Sequence, residues 1–181
     1  MPAGAEKNGL RRKLAQMPPP DWNTLLARFQ DLEEVRRAQR IMVFAGVGSE
    51  PDTGSLISHL LAQGKQVILP RCLPQSRMEG RRITRMEDLR RGKFGIPEPG
   101  EDCPTVDRDT IDLILTPCLC CDRSGYRLGQ GGGYYDRYLV GYTGVTVALC
   151  PEDRLQDRLP AQEFDIPVSI VVTEKEIRRG E

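Results

Sequence analysis

The chain has 181 residues, which is enough for one domain with a substantial hydrophobic core and rather short for two. Its 26 basic residues balance its 26 acidic residues, so no overall basic field is present to attract nucleic acid. The longest apolar run is too short to cross a bilayer, and the first sixteen residues lack the apolar segment of a signal peptide. We therefore expect one domain over residues 1–181, located in the cytoplasm, with small-molecule partners and neither nucleic acid nor membrane.

The N-terminal part of the chain predicts two helices. Residues 7–16 form a basic helix that Pro18 and the two following prolines end, and a second helix, capped by Asp21, runs from about Trp22 to Arg40. Lys7 and Arg11 stand four residues apart and therefore share one face of the first helix. Taken alone, that pattern fits a solvated basic face.

Buried strands then alternate with amphipathic helices. This pattern predicts a single three-layer α/β/α domain with a mainly parallel, Rossmann-like sheet. The strands of that sheet are expected near residues 41–46, 66–70, 111–116, 145–149 and 168–172. A further strand is predicted near Arg82 to Met86, and a short helix over residues 151–159.

A glycine-rich turn, Gly129-Gln130-Gly131-Gly132-Gly133, lies between a buried strand and a helix that begins at Tyr134. Glycines leave backbone N–H groups unobstructed, and the positive end of a helix dipole would favour an anion such as a phosphate. Arg127 before the turn can neutralise an anion, and Asp136 after it can hold a divalent cation. The alternative is a flexible surface turn, since the spacing matches neither a Walker loop nor a dinucleotide fingerprint.

The run RLGQGGGYYDR at residues 127–137, preceded by the Asp112 strand and Pro117, resembles the signature of the 5-formyltetrahydrofolate cyclo-ligase family, also called methenyltetrahydrofolate synthetases. Further similarity lies in Lys7-x-x-Leu-Arg11, in the GIPEP phrase at residues 95–99 and in the segment that begins at Asp165. The resemblance covers Lys7 to Thr173. It implies a fold like that of the NagB/RpiA/CoA transferase group.

The resemblance also implies roles for individual residues. It assigns catalysis to Arg127 and Tyr134, and a magnesium ion to Asp136 and Asp165. The ATP site would comprise Lys7, Arg11, Arg127, Leu128, Gly129, Gln130, Gly131, Gly132, Gly133, Tyr134 and Tyr135. The folate site would comprise Ala45, Glu50, Gln130, Gly131, Gly132, Gly133 and Tyr134. A carboxylate such as Glu50 suits the amino and ring N–H donors of a pterin, although a helix dipole alone could favour a Glu there.

The six cysteines are expected to be free thiols, because a cytosolic chain keeps its cysteines reduced. Cys118 and Cys121 form a C-x-x-C pair, but a zinc site needs two further ligands, so they are predicted to be small buried side chains. The family has Gly and Phe at these two positions, in P-G-x-x-F-D. The loss of that aromatic side chain is expected to reshape a wall of the pocket, and Ser169 replaces a common Asp.

The function that the resemblance implies is the conversion of 5-formyltetrahydrofolate and ATP to 5,10-methenyltetrahydrofolate, ADP and phosphate, with Mg²⁺ and through an N5-iminium phosphate. Two alternatives stay open. One is a related ATP-dependent enzyme with a different formylated or thiamine-related substrate. The other is a non-catalytic folate- or nucleotide-binding protein on the same scaffold. We expect a monomer or a weak homodimer whose partners are ATP and a reduced folate.

Overall fold

A computed structural model describes residues 2–180 of the chain. The helices are α1 (Ala3–Ala15), α2 (Asn23–Asp31), α3 (Glu33–Arg37), α4 (Gly54–Ala62) and α5 (Tyr134–Tyr138). The strands are β1 (Arg40–Met42), β2 (Gln66–Leu73), β3 (Arg77–Ile83), β4 (Leu89–Arg91), β5 (Pro97–Pro99), β6 (Thr105–Val106), β7 (Leu113–Thr116), β8 (Cys120–Cys121), β9 (Arg127–Leu128), β10 (Val145–Leu149), β11 (Ile170–Val172) and β12 (Ile177–Arg179). None of the helices within residues 2–180 is long and apolar enough to span a bilayer.

Eight of the strands form one sheet in the order β12, β11, β10, β7, β1, β2, β3, β6. The five central strands, from β11 to β2, are parallel to their neighbours. The edge strands are antiparallel: β12 pairs with β11, and β3 pairs with both β2 and β6. The five parallel strands are those expected from the sequence, so the prediction of a mainly parallel sheet is confirmed.

The two faces of the sheet carry separate hydrophobic clusters. Successive side chains of a strand point to opposite faces, so Ile41 and Val43 pack with the buried side chains of α2, α3 and α4. Met42 between them packs on the other face with Ile114 and Leu139. Helix α1 closes a further cluster through Leu14. Helices therefore lie on both faces of the sheet, and the predicted three-layer α/β architecture is confirmed.

The predicted single helix from Trp22 to Arg40 is wrong, because the chain forms α2 and α3 with a break at Leu32. Leu32 has an extended backbone, with φ −60° and ψ 134°, and its side chain is only 2% exposed. The extended residue lets Leu32, Phe29 and Val35 all reach the same core. The ammonium of Lys65 then donates to three carbonyls at the end of α3, including that of Ala38 at 2.6 Å.

Strand β1 is shorter than the predicted 41–46, because the hydroxyl of Thr53 takes over the hydrogen bonding of the following segment. Thr53 Oγ1 donates to the carbonyl of Phe44 at 2.6 Å and accepts from the N–H of Gly46 at 3.1 Å. A Cβ on Gly46 would lie 1.6 Å from the carbonyl oxygen of Pro51, so this close approach requires glycine. The result is a tight loop directly after β1.

Three further boundaries differ from the predictions. The strand expected near residues 82–86 is β3, which begins earlier because it pairs along the whole of β2. Residues 151–159 form only one 3₁₀ turn, at Glu152–Arg154. The N–H of Gln156 donates to the carbonyl of Cys121 instead of to the carbonyl one helical turn earlier, so the helix does not continue. The last predicted strand is confined to β11, and β12 was not predicted.

Candidate active site

A cavity of about 1010 Å³ lies at the carboxyl edge of the parallel strands. The next strand of the chain after β1, β2, lies on one side of β1 in the sheet, whereas the strands of this sheet that follow β7, namely β10 and β11, lie on the opposite side. The strand order therefore reverses between β1 and β7. Such a reversal opens a crevice where α/β sheets bind ligands. Phe44 and Glu50 from the loop after β1 line the cavity, as do Pro117 after β7 and the glycine-rich turn.

The structure brings every residue that the sequence assigned to a site to the wall of this one cavity. Their roles in binding and catalysis stay predictions. These residues are Lys7, Arg11, Ala45, Glu50, Arg127, Leu128, Gly129, Gln130, Gly131, Gly132, Gly133, Tyr134, Tyr135, Asp136 and Asp165.

Helix α1 directs two cations at the cavity. Arg11 Nε donates to the carbonyl of Gly129 at 2.8 Å, while Nη1 donates to Asn8 Oδ1 at 2.7 Å. One turn earlier, Lys7 Nζ lies 2.6 Å from Asp165 Oδ2, and both side chains are about nine-tenths buried, at 12% and 10% exposed. The basic face of α1 is therefore packed against the glycine-rich turn instead of being solvated.

The glycine-rich turn presents backbone donors. Gly131 and Gly133 have positive φ angles of 105° and 73°, a conformation that side chains other than hydrogen disfavour. Within residues 2–180, the backbone N–H groups of residues 130–133 form no hydrogen bond. Helix α5, which follows, has only five residues, so the expected contribution of a helix dipole is small. The capacity of the turn to bind an anion therefore depends on its N–H groups and on the nearby cations.

Arg127 is an enclosed cation of the site, with a side chain that is 5% exposed against 12% for that of Lys7. Its Nη2 donates to Asp136 Oδ1 at 3.3 Å and its Nη1 to the carbonyl of Pro117 at 3.4 Å. The guanidinium lies 5.9 Å from the ring of Tyr135. Burial raises the pKa of Tyr135, and its hydroxyl has no partner among the described residues. The guanidinium of Arg127 is thus fixed in position beside the uncharged phenol of Tyr135.

Asp136 and Asp165 approach each other although they are far apart in sequence. Asp136 Oδ1 accepts from the N–H of Ile166 at 3.0 Å, the residue next to Asp165. Asp165 Oδ2 accepts from Lys7 and from the N–H of Gln162, while Asp165 Oδ1 and Asp136 Oδ2 form no hydrogen bond in the described part of the chain. Two hard carboxylate oxygens fit Mg²⁺, which takes its remaining ligands from phosphate and water. Residues 2–180 contain no group of three or more His, Cys, Asp or Glu side chains that could hold a metal alone.

Glu50 lies on another part of the cavity wall, in the tight loop after β1. Burial raises the pKa of Glu50, against the opposing effect of a backbone hydrogen bond at Val47. The loop is anchored from outside, since Trp22 Nε1 donates to the carbonyl of Ser49 at 2.9 Å. Glu50 is therefore a fixed, partly desolvated carboxyl that can accept hydrogen bonds from a ligand.

The sequence did not indicate how the segment between β4 and β5 joins the site. Lys93 Nζ donates to the hydroxyl of Tyr134 at 3.2 Å, which connects this segment to the glycine-rich turn. Phe94 beside it has a positive φ of 61° and is 73% exposed at the rim of the cavity. Glu98 is buried in the wall, at 7% exposed. The GIPEP phrase pointed to this region, but nothing in the sequence indicated Lys93.

The fold and the site define an α/β protein with a cavity for an anionic small molecule at the switch point of its sheet. The model of the 5-formyltetrahydrofolate cyclo-ligase family matches residues 6–174, and the chain belongs to this family of enzymes. The resemblance read from the glycine-rich run is thereby confirmed.

Individual relatives agree with this assignment. A 5-formyltetrahydrofolate cyclo-ligase of Mycolicibacterium smegmatis is 36% identical over 146 residues, which are 75% of this chain and 73% of that protein. That of Escherichia coli (strain K12) is 33% identical over 156 residues, or 83% and 86% of the two chains. The NMR structure of Aquifex aeolicus 5,10-methenyltetrahydrofolate synthetase aligns with a TM-score of 0.85 at 28% identity, covering 99% of this chain and 93% of that one.

Proposed function

We propose that the protein converts 5-formyltetrahydrofolate and ATP to 5,10-methenyltetrahydrofolate, ADP and phosphate within this cavity. The observation that carries the proposal is the convergence of Lys7, Arg11 and Arg127 on the wall that holds the unpaired N–H groups of residues 130–133. Cations and backbone donors at one point suit a polyphosphate. The relatives named above supply the folate substrate.

The size of the cavity supports two substrates bound together. Pockets for small molecules usually have volumes of about 300–1,000 Å³, and this cavity, at about 1010 Å³, lies at the upper end. The phosphate-binding wall and the Glu50 loop both line it, and the two loops follow different strands of the sheet. We infer that the nucleotide occupies the first wall and that the pterin donates its N–H groups to Glu50.

The chemistry needs activation of the formyl oxygen, which is a poor leaving group. Its attack on the γ-phosphorus gives an N5-iminium phosphate and ADP; N10 of the same folate then attacks the activated carbon, and phosphate leaves. Both steps depend on position and on neutralisation of negative charge. No covalent protein nucleophile is required.

The residues of the cavity can perform these tasks. Arg127, held by Asp136 and the carbonyl of Pro117, stabilises charge on the phosphoryl group in transfer. The hydroxyl of Tyr134 accepts from Lys93, which leaves its own proton free to donate to a substrate oxygen. Asp136 and Asp165 would hold Mg²⁺, which supplies further charge neutralisation when bound.

The test is an absorbance assay for 5,10-methenyltetrahydrofolate near neutral pH, with and without ATP. ATP-dependent formation of the product is the expected result. Consumption of ATP that does not depend on this folate, without methenyl product, would indicate a different substrate, and folate or nucleotide binding without turnover would indicate a binding protein. Either outcome would refute the proposal.

A matched pair of variants tests the phosphate-binding wall. Arg11 lines the cavity, whereas the adjacent Arg12 on the same helix is exposed and does not. Arg11→Gln should raise the Michaelis constant for ATP, by about tenfold for one lost hydrogen bond to a charged group. Arg12→Gln removes the same charge from the protein and should leave that constant unchanged. Equal effects of the two variants would show that only the overall charge matters.

A further inference from the structure

Two thiols at the wall of the cavity lie close to each other. Cys118 lines the cavity, and its Sγ is 3.5 Å from the Sγ of Cys121, which is fully buried behind it. Cys121 donates the hydrogen bond, and the thiol of Cys118 donates in turn to the carbonyl of Leu149 at 3.3 Å. One sulfur is therefore reachable from the cavity, and the other is reachable only through the first.

The pKa of Cys118 is shifted in the opposite direction from those of Cys121 behind it and of Cys72 in the same cavity wall. The hydrogen bond from Cys121 lowers the pKa of Cys118 against the effect of burial, and the guanidinium of Arg127 acts in the same direction. Cys72 also lines the cavity, but burial and Glu98 raise its pKa to about 11. The thiolate is the nucleophile in thiol chemistry, and Cys118 both lines the cavity and lies 3.5 Å from a second thiol, which makes it the candidate nucleophile of the cavity wall.

We propose that Cys118 is a covalent modification site inside the cavity, which takes a low-molecular-weight disulfide as its reactant and Cys121 as the resolving thiol. The Cys118 thiolate attacks one sulfur of the disulfide, whose S–S bond breaks, and one thiolate leaves and takes up a proton. The hydrogen bond to Cys118 raises the pKa of Cys121 well above its ordinary value, so Cys121 loses its proton only as it attacks the Cys118 sulfur. The departing sulfur takes up a proton and leaves as the second thiol. The protein loses two electrons and two protons, which the reactant gains as two thiols.

Closure of this disulfide changes the wall that holds Arg127. The two sulfurs must approach from 3.5 Å to about 2.05 Å, a movement of roughly 1.5 Å. The segment that moves is tied to the site, because Pro117 accepts from Arg127 and the N–H of Leu119 donates to Leu128 at 2.7 Å. A misplacement of about 1 Å costs up to about 10²-fold in rate. With part of the movement absorbed by side-chain rotation, we expect turnover to fall about tenfold, a consequence that depends on the proposed function.

The experiment treats the reduced, folded protein with excess oxidised glutathione. We expect the loss of two free thiols, a mass decrease of two hydrogen atoms, a linked Cys118–Cys121 peptide and full reversal by dithiothreitol. Cys121→Ser should instead retain one glutathione on Cys118, and Cys118→Ser should form neither product. Cys72→Ser is the matched control and should react as the unmodified sequence does. Turnover of each variant is compared with its own reduced sample.

Three results would overturn the modification site: no loss of thiols, attachment of glutathione to Cys72 instead of Cys118, or a disulfide between Cys121 and the neighbouring Cys150. A Cys118–Cys121 disulfide that leaves turnover unchanged would refute the effect on Arg127. The thiol count and the peptide map do not require turnover. Failure of the proposed function, seen as an inactive reduced enzyme, is therefore distinguishable from failure of this proposal.

Discussion

Adding one methyl group at Gly131 separates a phosphate-binding turn from a flexible turn. Gly131 has φ +105°, and a Cβ there would lie 3.6 Å from the guanidinium carbon of Arg11, which is ordinary contact. The effect of Gly131→Ala must therefore come from backbone strain and not from a clash. Strain of this kind costs about 1–3 kcal/mol, and each kcal/mol lowers Tm by roughly 2–4 °C for a chain of this size.

The turn can escape the strain only by changing its backbone angles, which redirects the N–H groups of residues 130–133. Loss of one hydrogen bond to a charged phosphate costs about 1.5–3 kcal/mol, or roughly 10- to 100-fold in the Michaelis constant for ATP. Gly132→Ala should act in the same direction, because its Cβ would lie 2.9 Å from the ring of Tyr134. Steady-state kinetics at varied ATP, together with thermal denaturation, measures both quantities.

Gly64→Ala is the matched control. Gly64 also has a positive φ, of 80°, has open space around its Cβ position, and lies at the end of α4 away from the cavity. Gly64→Ala should lower Tm by an amount similar to Gly131→Ala and leave the Michaelis constant for ATP unchanged. If Gly131→Ala likewise lowers only Tm, the phosphate-binding role of the turn is wrong.

Three further variants test other parts of the site and its support. Asp136→Asn keeps an oxygen that can accept from Ile166 but removes the negative charge beside the buried guanidinium of Arg127, so its Tm should fall. It should also lose both turnover and the Tm increase on adding Mg²⁺ with ATP; a retained increase would contradict the metal assignment. Burial raises the pKa of Glu50, so its contribution to stability is present below the ordinary Glu range and is lost as pH rises through the raised value. In urea denaturation, the free energy of unfolding of Glu50→Gln should therefore rise relative to that of the parent from about pH 4 to about pH 7. A difference that does not depend on pH would be evidence against a raised pKa of Glu50. Thr53→Val leaves two backbone groups near β1 unpaired and should cost about 1–3 kcal/mol, more than Thr116→Val, which removes a single hydrogen bond.

The parallel core of the fold could be predicted because its strands are buried on both faces and read as apolar runs. The edge strands carry no such run. In β12 the sequence is Ile177-Arg178-Arg179, and β3 is rich in arginine, so their pairing with the sheet has no local signal. The break at Leu32 was missed for a different reason: an extended residue kept the apolar positions on one core, so the helical periodicity continued across it.

The predicted site residues were found together because one long motif places most of them on consecutive positions, and the strand order brings the loop after β1 to the same edge. Helix α1 adds Lys7 and Arg11, and the segment before β11 adds Asp165. The contacts between them could not be predicted. Nothing in the sequence indicates that Lys93 donates to Tyr134, since these residues are 41 positions apart and Lys93 lies in a single turn between two short strands. The Cys118 and Cys121 positions were expected to be small buried side chains, and the closeness of their sulfurs is visible only in the structure.

The pairing of Lys7 with Asp165 limits what mutation of either residue can prove. The sequence assigned Lys7 to phosphate and Asp165 to metal as independent tasks, but the two side chains form one nearly buried ion pair. Removing Lys7 leaves the Asp165 carboxylate uncompensated, at a cost of about 3–5 kcal/mol for a buried pair. A Lys7 variant would therefore weaken ATP binding through a distorted metal site as well as through a lost phosphate contact. Arg11 donates to neutral oxygens of Gly129 and Asn8, so its removal leaves no carboxylate uncompensated and Arg11→Gln tests the phosphate contact more directly.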